Sequence, residues 1–173
     1  EFRRVLFRSV GYILMMYIYS SYDRLIDWAI KEYSYLKIDS SAIKTGTSIL
    51  AVKTKSGFVI GSDLQYTYGI MKGVCKTKLI KPIWSDPDRY ILGLAGTAQI
   101  STFVIQVLNY HYEWYTRTFG LNPPVENLIQ HLRIIHGKTG WNNYGHIILL
   151  GKCKRTETYK GFCIRSGDYL EID

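Results

Sequence analysis

The pattern of apolar and polar residues in the middle of the chain predicts two β-hairpins. In the first, two runs rich in β-branched and apolar residues flank a short loop at residues 55–57, which is a hairpin signal. Antiparallel pairing about this loop makes the paired residue numbers sum to about 111. Thr47 then lies opposite Asp63 or Leu64 at the open end of the hairpin, within side-chain reach across the two strands.

The second predicted hairpin has its turn at residues 85–88, where Ser, Asp and Pro cluster. Strand 79–84 leads into this turn and strand 89–96 leaves it, so the paired numbers sum to about 173. Lys78 then falls opposite Ala95, close to the start of a predicted helix.

The open ends of the two hairpins carry groups that suit nucleophilic catalysis. If these ends meet, they bring together the hydroxyl of Thr47, the carboxylate of Asp63, the ammonium group of Lys78 and the backbone N–H of Gly96. Such a set contains a nucleophile, two groups that tune its proton and an oxyanion donor. The hairpin patterns predict the geometry within each hairpin and leave open whether the two hairpins meet.

Helical spacing of apolar residues predicts two further helices. The first covers 97–119 and is stopped by Gly120, and the second covers 122–136 and is stopped by Gly137. This order of elements predicts an α+β fold with helices packed on stacked antiparallel sheets. The later predicted elements are strands at 145–150 and 161–165 and a turn at 166–168.

The histidines of the two predicted helices lie in different patterns. His111 belongs to the apolar stripe of the first helix, which favours a packed core histidine over a catalytic base. His131 and His136 are predicted to be surface or helix-end residues.

The N-terminal part of the chain divides into three stretches. Residues 1–9 resemble a cloning or sequence-assembly remnant. Residues 10–19 form an apolar run that is too short to span a membrane, and a signal-peptide core is an alternative interpretation. An apolar stripe at helical spacing then predicts a helix over 20–38 that begins near Asp23.

Composition and cysteine spacing exclude several classes of function. The chain has 173 residues, of which 47% are hydrophobic and 21% are charged, as in a single globular domain. Its net charge of +8 comes without a basic run interleaved with aromatic residues, so we expect no nucleic-acid partner. The three cysteines, Cys75, Cys153 and Cys163, have no C-x-x-C spacing, and we expect no disulfide framework, zinc site or other cofactor.

An ordered series of residues resembles the proteasome beta-type subunits, a family of N-terminal nucleophile (Ntn) hydrolases. The resemblance runs from Thr45 to the C-terminus. It implies a four-layer αββα sandwich, with two antiparallel sheets inside and helices outside. The sandwich is expected to be incomplete, because the last strands and helices of the family are absent after Asp173. The residues that carry the resemblance are Gly46, Thr47, the strand 57–63, Thr67, Lys78 and the run 95–98.

The resemblance also implies a division of the chain and a role for its first part. Residues 1–46 correspond to an N-terminal extension or propeptide, and residues 47–173 to a partial Ntn-hydrolase domain. Active members are cut just before the catalytic threonine, which here is the Gly46–Thr47 bond. Cleavage frees the amine of Thr47, and this amine can serve as the general base for the hydroxyl.

The family's other catalytic roles carry over residue by residue. Asp63 matches the acid that orients the nucleophile, and Gly96 matches the oxyanion-hole glycine. Lys78 matches the lysine that lowers the proton affinity around the nucleophile, with Lys76 as the alternative alignment. Taken without the resemblance, Thr47 is also explained as an ordinary residue at the start of a strand.

The resemblance further implies an extended peptide substrate. The backbone of Thr67 and of Ala98 matches positions that hold a peptide by strand addition. Leu94 stands where the caspase-like subunit has an arginine, so the choice between acidic and apolar cleavage residues stays open. The walls of the first side-chain pocket match Tyr66, Lys76, Ile80, Leu94 and Ala98.

The function that the resemblance implies is a threonine endopeptidase subunit of a proteasome core particle. It would be made as a zymogen, assemble with alpha-type and beta-type subunits in stacked rings, and degrade unfolded polypeptides without a cofactor. The expected location is the cytoplasm and, in a eukaryote, the nucleus, with no stable membrane span. The alternatives are a non-catalytic beta-type subunit, the bacterial two-ring relative, and another Ntn amidohydrolase.

Overall fold

The computed structural model describes residues 2–37, 48–68, 71–74, 79–141, 145–153, 158–165 and 168–173. Its helices are α1 (Phe2–Tyr35), α2 (Ala98–Phe119) and α3 (Val125–Thr139). Its strands are β1 (Ile49–Thr54), β2 (Gly57–Ser62), β3 (Gln65–Tyr68), β4 (Met71–Val74), β5 (Leu79–Ile80), β6 (Tyr90–Gly96), β7 (Gly145–Lys152), β8 (Tyr159–Arg165) and β9 (Asp168–Glu171). The α+β class predicted from the sequence is confirmed.

The centre of the fold is an antiparallel sheet with the strand order β5-β6-β7-β8-β9. Side chains alternate between its two faces, and Leu92 and Leu94 of β6 lie beside Leu149 and Ile147 of β7 on one face. All four are buried in the core with residues of α2 and α3. This face of the sheet is therefore closed by the two helices.

The helices α2 and α3 begin and end at residues that satisfy their terminal backbone groups. Thr97 caps α2 by accepting the Ile100 N–H at 3.4 Å, and Gly120 ends the helix in the left-handed region with φ of 67°, as glycine can without strain. The predicted stop of α3 at Gly137 is wrong. The helix continues one turn further, and Gly140 closes it in the same left-handed conformation.

The hairpin β1–β2 covers the other face of the five-stranded sheet. Its observed pairs run from Ile49 with Ser62 to Thr54 with Gly57, so the predicted register is confirmed. Two glycines of the sheet leave room for it. A Cβ on Gly93 would meet the Ile49 side chain at 2.8 Å, and one on Gly161 would meet Phe58 at 3.0 Å.

The outward face of β1–β2 is also apolar. Leu50, Val52 and Val59 point away from the five-stranded sheet and are exposed. A strand that is apolar on both faces is typical of a sheet buried on both sides. The described residues supply the inner layers and the helices of one side, and helix cover over this outward face stays a prediction of the family resemblance.

The strand that leads into the second hairpin differs from the prediction. It ends at Ile80, shortly before Pro82, which has no N–H to donate to a neighbouring strand. Leu79 pairs with Gly93, so the paired numbers sum to 172 rather than to the predicted value of about 173. Lys78 itself lies outside the described residues, and the register next to it is shifted by one residue from the predicted one.

The helix α1 is much longer than the sequence pattern predicted. It begins at Phe2 rather than near Asp23 and ends at Tyr35. The predicted apolar stripe is confirmed in its second half, where Ile26 and Ala29 are buried against α2 and α3. In the part of the chain that the structure describes, none of the helices combines the length and apolar character needed to cross a membrane.

Two of the histidine predictions are confirmed and one is wrong. His111 is a buried core residue as expected, and the half-buried His136 lies in the last turn of α3. His131, predicted to be at the surface, is 1% exposed. It faces α1 and α2, because the groove between α2 and α3 is filled by α1.

Candidate functional site

The open end of β1–β2 is held by a carboxylate. Asp63 N–H donates to the Ser48 carbonyl at 3.0 Å, which extends the strand pairing by one residue. In return, Ser48 N–H donates to Asp63 Oδ1 at 3.1 Å. A hydrogen bond from a backbone N–H to an ionised carboxylate is stronger than one between neutral groups, so Asp63 fixes the start of β1.

This contact places the Asp63 carboxylate on the residue that directly follows the predicted nucleophile in the sequence. The Ser48 nitrogen that donates to Asp63 is bonded to the carbonyl carbon of Thr47, and consecutive Cα atoms are about 3.8 Å apart. Gly46 and Thr47 themselves lie outside the described residues. The proximity of Asp63 to the Thr47 side chain therefore stays a prediction.

A second element of the site is the junction between β6 and α2. Gly96 has φ of 144°, a conformation that residues with a Cβ rarely adopt. It is exposed, and α2 starts two residues later with no acidic residue in its first turn. The partial positive charge of such a helix N-terminus favours an anion or a developing oxyanion nearby.

The two hairpins approach each other through one packing contact. Ile49, which directly follows Ser48, lies on Gly93 of β6. Gly93 precedes Gly96 by three residues, or about 10 Å along an extended strand. Only a glycine at this point leaves room for the Ile49 side chain, so the start of β1 rests on the strand that ends at Gly96.

A residue that the sequence reasoning missed anchors the segment after β5. Asn109 of α2 is 5% exposed and donates through Nδ2 to the Pro82 carbonyl at 2.6 Å. It also accepts the Trp84 N–H at 3.0 Å. Asn109 lies on the side of the helix opposite to the predicted apolar stripe, so the sequence pattern gave no signal for its burial. Lys76 and Lys78, which precede β5, lie outside the described residues.

The predicted substrate-binding positions fall in several parts of the fold. Thr67 and Tyr66 belong to β3, which pairs only with β4 in the described part of the chain. Ala98 is exposed at the first turn of α2, and Ile80 is half-buried next to β6. Leu94 is buried in the core beneath α2 and α3, so its place on a pocket wall stays a prediction.

The described residues give no reason to invoke a metal. Among the residues with described positions, no group of three or more His, Cys, Asp or Glu side chains is placed to hold a metal ion. What the site contains is a carboxylate at the start of one strand and an exposed glycine at a helix N-terminus. A carboxylate and a helix N-terminus are groups that can assist a nucleophile in acyl transfer.

Comparison with known protein families identifies the family to which this arrangement of hairpins, sheet and helices belongs. Residues 43–173 match the family described as Proteasome subunit. This match covers well over half of the chain, and the chain belongs to the proteasome subunit family.

Individual relatives agree with the resemblance predicted from the sequence. The chain is similar to proteasome subunit beta type-9 of Oncorhynchus mykiss and of Salmo salar, with 26% identity over 119 residues in both cases. Each alignment covers 67% of this chain and 52% of the relative. The chain therefore spans about half the length of these curated relatives, and the predicted resemblance to beta-type subunits is confirmed.

Proposed function

We propose that this chain is part of a catalytic beta-type subunit, a threonine endopeptidase of a proteasome core particle. The observation that carries the proposal is the pair of hydrogen bonds between Ser48 and Asp63. These bonds hold a carboxylate on the backbone N–H of the residue that directly follows the glycine-threonine pair. The family membership of residues 43–173 supports the same reading.

In the proposed mechanism, the chain first cuts its own Gly46–Thr47 bond and frees the amine of Thr47. This amine takes the proton of the Thr47 hydroxyl as the oxygen attacks the carbonyl carbon of a substrate peptide bond. Negative charge then develops on the carbonyl oxygen, and Gly96 N–H at the N-terminus of α2 stabilises it. The tetrahedral intermediate collapses as the amine product leaves with that proton, and water hydrolyses the remaining ester.

The neighbouring groups have supporting roles in this scheme. Asp63 orients the start of β1 and, together with Lys78 or Lys76, lowers the proton affinity around the nucleophile. An unfolded polypeptide would lie as an extended strand, held by the backbone of Thr67 and of Ala98. The proposed partners are the alpha-type and beta-type subunits of stacked rings, in the cytoplasm and, in a eukaryote, the nucleus.

The direct test is the mass and N-terminal sequence of the full-length natural protein after it has assembled with its partners. A new N-terminus at Thr47 is the expected result, because the free amine is the proposed general base. An intact Gly46–Thr47 bond in fully assembled rings would contradict the proposal. It would favour the alternative of a non-catalytic beta-type subunit.

Substituting Asp63→Asn should lower kcat/KM for a peptide substrate by about 10-fold to 100-fold, within the usual contribution of a proton-tuning group. Asparagine keeps an oxygen that can accept the Ser48 N–H, so the strand start should persist while the charge is lost. Peptide hydrolysis by assembled protein measures the effect.

The matched control for this substitution is Asp88→Asn. Asp88 is an exposed carboxylate that pairs with Lys81 at 2.5 Å in the connection between β5 and β6. Its loss should leave kcat/KM within about twofold of the original value, since exposed pairs contribute little. If both substitutions changed kcat/KM equally, Asp63 would have no special role in catalysis.

A further inference from the structure

The second half of α1 is held against α2 and α3 by a cluster of rings. Tyr22 of α1 hydrogen-bonds through its hydroxyl to Nδ1 of His131 on α3 at 2.9 Å. The same ring lies 5.0 Å from Trp114 and 5.9 Å from His111, both on α2. Tyr22 therefore touches both helices of the pair, and α1 is docked across them.

Two neutral imidazoles form the floor of this cluster. His111 and His131 are stacked, with ring centroids 4.1 Å apart and ring planes 12° apart, and their side chains are almost completely buried. His111 Nε2 lies 2.6 Å from Oδ1 of Asn127. Among the residues with described positions, His111 Nδ1 and His131 Nε2 find no hydrogen-bond partner, so in the doubly protonated rings the N–H at these two nitrogens would have no acceptor there.

The surroundings of the pair disfavour positive charge. Burial lowers the pKa of His111 to about 4, although its hydrogen bond with Asn127 acts in the opposite direction. Burial and then the neighbouring His111 lower the pKa of His131 well below its ordinary value. Burial followed by the charge of Asp23 raises the pKa of the Tyr22 phenol to about 12, so that group stays neutral at working pH.

The other titratable or charged groups around the pair come from all three helices. None of the carboxylates with described positions contributes to the pKa of either imidazole. On α1 the nearest such group is the exposed Asp23. On α2 the nearest groups are Tyr115 and the exposed ion pair of Glu113 with Arg117. On α3 they are Glu126, which faces Lys160, and Arg133, which lies over the ring of Tyr169.

We propose that α1 is a releasable latch on the α2–α3 pair, docked while His111 and His131 are neutral and released when the stacked pair takes up protons. The latch lies on the helical side of the five-stranded sheet, whereas the hairpin β1–β2 with Ser48 and Asp63 lies on the other side. The proposal concerns the uncut chain, in which α1 is still joined to the domain, and in that chain it does not depend on whether Thr47 is a nucleophile.

The direction of the pH dependence follows from the lowered pKa values. When α1 leaves, the pair becomes accessible to water and each imidazole returns toward its ordinary pKa of about 6.5. Below that pH the undocked form binds more protons than the docked form, so docking weakens as the pH falls from about 6.5 toward 4. For His111 alone, a change from 6.5 to about 4 weakens docking about 30-fold at pH 5.

Release affects α1 before the rest of the fold, because the other elements have separate anchors. The helices α2 and α3 stay packed on the five-stranded sheet through residues such as Leu108 and Leu132. Apart from the histidine cluster, α1 is held by its buried Ile26 and Ala29 and by ring contacts of Trp28 with Tyr110 and of Tyr33 with Phe103. These contacts involve no histidine and no carboxylate.

Hydrogen exchange of the full chain, measured by mass spectrometry between pH 7.5 and 5, tests the latch. After correction for the intrinsic pH dependence of exchange, amides in the second half of α1 should exchange at least about tenfold faster at pH 5 than at pH 7. Amides of β6 and β7 should keep their protection and serve as the internal reference. Equal loss of protection in α1 and the sheet, or no change in α1, would overturn the proposal.

A variant and its control separate the histidine pair from general acid effects. Combining His111→Phe with His131→Phe keeps two stacked rings without ionisable nitrogens, and it should abolish the pH response of α1. His146→Gln, at an exposed position on β7, should leave that response unchanged. A response that persists in the double variant would rule out the pair as its source.

Nitrogen NMR of the histidine side chains measures the protonation states of His111 and His131 directly in the chain without substitutions. At pH 6 both His111 and His131 should be neutral while α1 amides remain protected. Ordinary titration of both rings near pH 6.5, with α1 still docked, would contradict the proposal.

Discussion

Replacing Thr47 with alanine should abolish peptide hydrolysis by the assembled protein and should leave the Gly46–Thr47 junction uncut. The hydroxyl is the proposed nucleophile for both reactions, and no other group near the Ser48–Asp63 contact supplies one in the proposed scheme. We expect kcat/KM to fall by at least about 10³-fold, or about 4 kcal/mol in the activation barrier. Mass spectrometry of the subunit and hydrolysis of a peptide amide measure the two effects.

Two further substitutions make this result specific for the hydroxyl of Thr47. Thr47→Ser keeps a hydroxyl at the same position and should retain cleavage of the junction. Thr45→Ala removes a hydroxyl on the other side of Gly46 and should leave both reactions within about twofold, because Thr45 has no role in the proposed mechanism. Normal processing of Thr47→Ala would exclude the threonine mechanism, whereas equal losses for Thr45 and Thr47 would point to a folding defect.

Asn109→Ala should lower the free energy of unfolding by about 3 kcal/mol, because it leaves buried backbone groups without partners. The amide of Asn109 bonds the Pro82 carbonyl, the Ile105 carbonyl and the Trp84 N–H. Its loss frees the segment that follows β5. Denaturant unfolding of the full chain measures the change as a shift of the midpoint at constant slope.

Asn122→Ala is the matched control for Asn109→Ala. Asn122 is an exposed asparagine whose amide donates to Asp86 at 3.4 Å, so its removal should change the free energy of unfolding by less than about 0.5 kcal/mol. Similar effects of the two substitutions would mean that the buried hydrogen bonds of Asn109 contribute little to stability.

The part of the candidate site that the sequence predicted best depends on local chain geometry. The short loop at 55–57 sets the register of β1 and β2, and that register alone brings Ser48 to Asp63. Gly96 and Thr97 likewise mark the end of β6 and the cap of α2 from their own conformational preferences. Where a feature depends on two to four neighbouring residues, the pattern of the sequence was sufficient.

The parts that were wrong depend on contacts between elements distant in the chain. His131 has the pattern of a helix-end residue, yet α1 covers it from more than a hundred residues away. The strand β5 is shorter than its apolar run and ends shortly before Pro82, and Asn109 of α2 takes up the Pro82 carbonyl. The contact of α1 with His131 and that of Asn109 with Pro82 cannot be predicted from neighbouring residues in the sequence, because the two members of each contact are far apart in the chain.

The sequence by itself determined the α+β class, the first hairpin, both ends of α2 and the resemblance to the proteasome family. Turn residues, helix caps and apolar periodicity act over short separations, so they can be read without knowing the fold. The tertiary structure alone decided that Ile49 rests on Gly93, that α1 fills the groove over His111 and His131, and that β6 pairs with β7. Those outcomes follow from which apolar faces bury each other, and that depends on the whole chain.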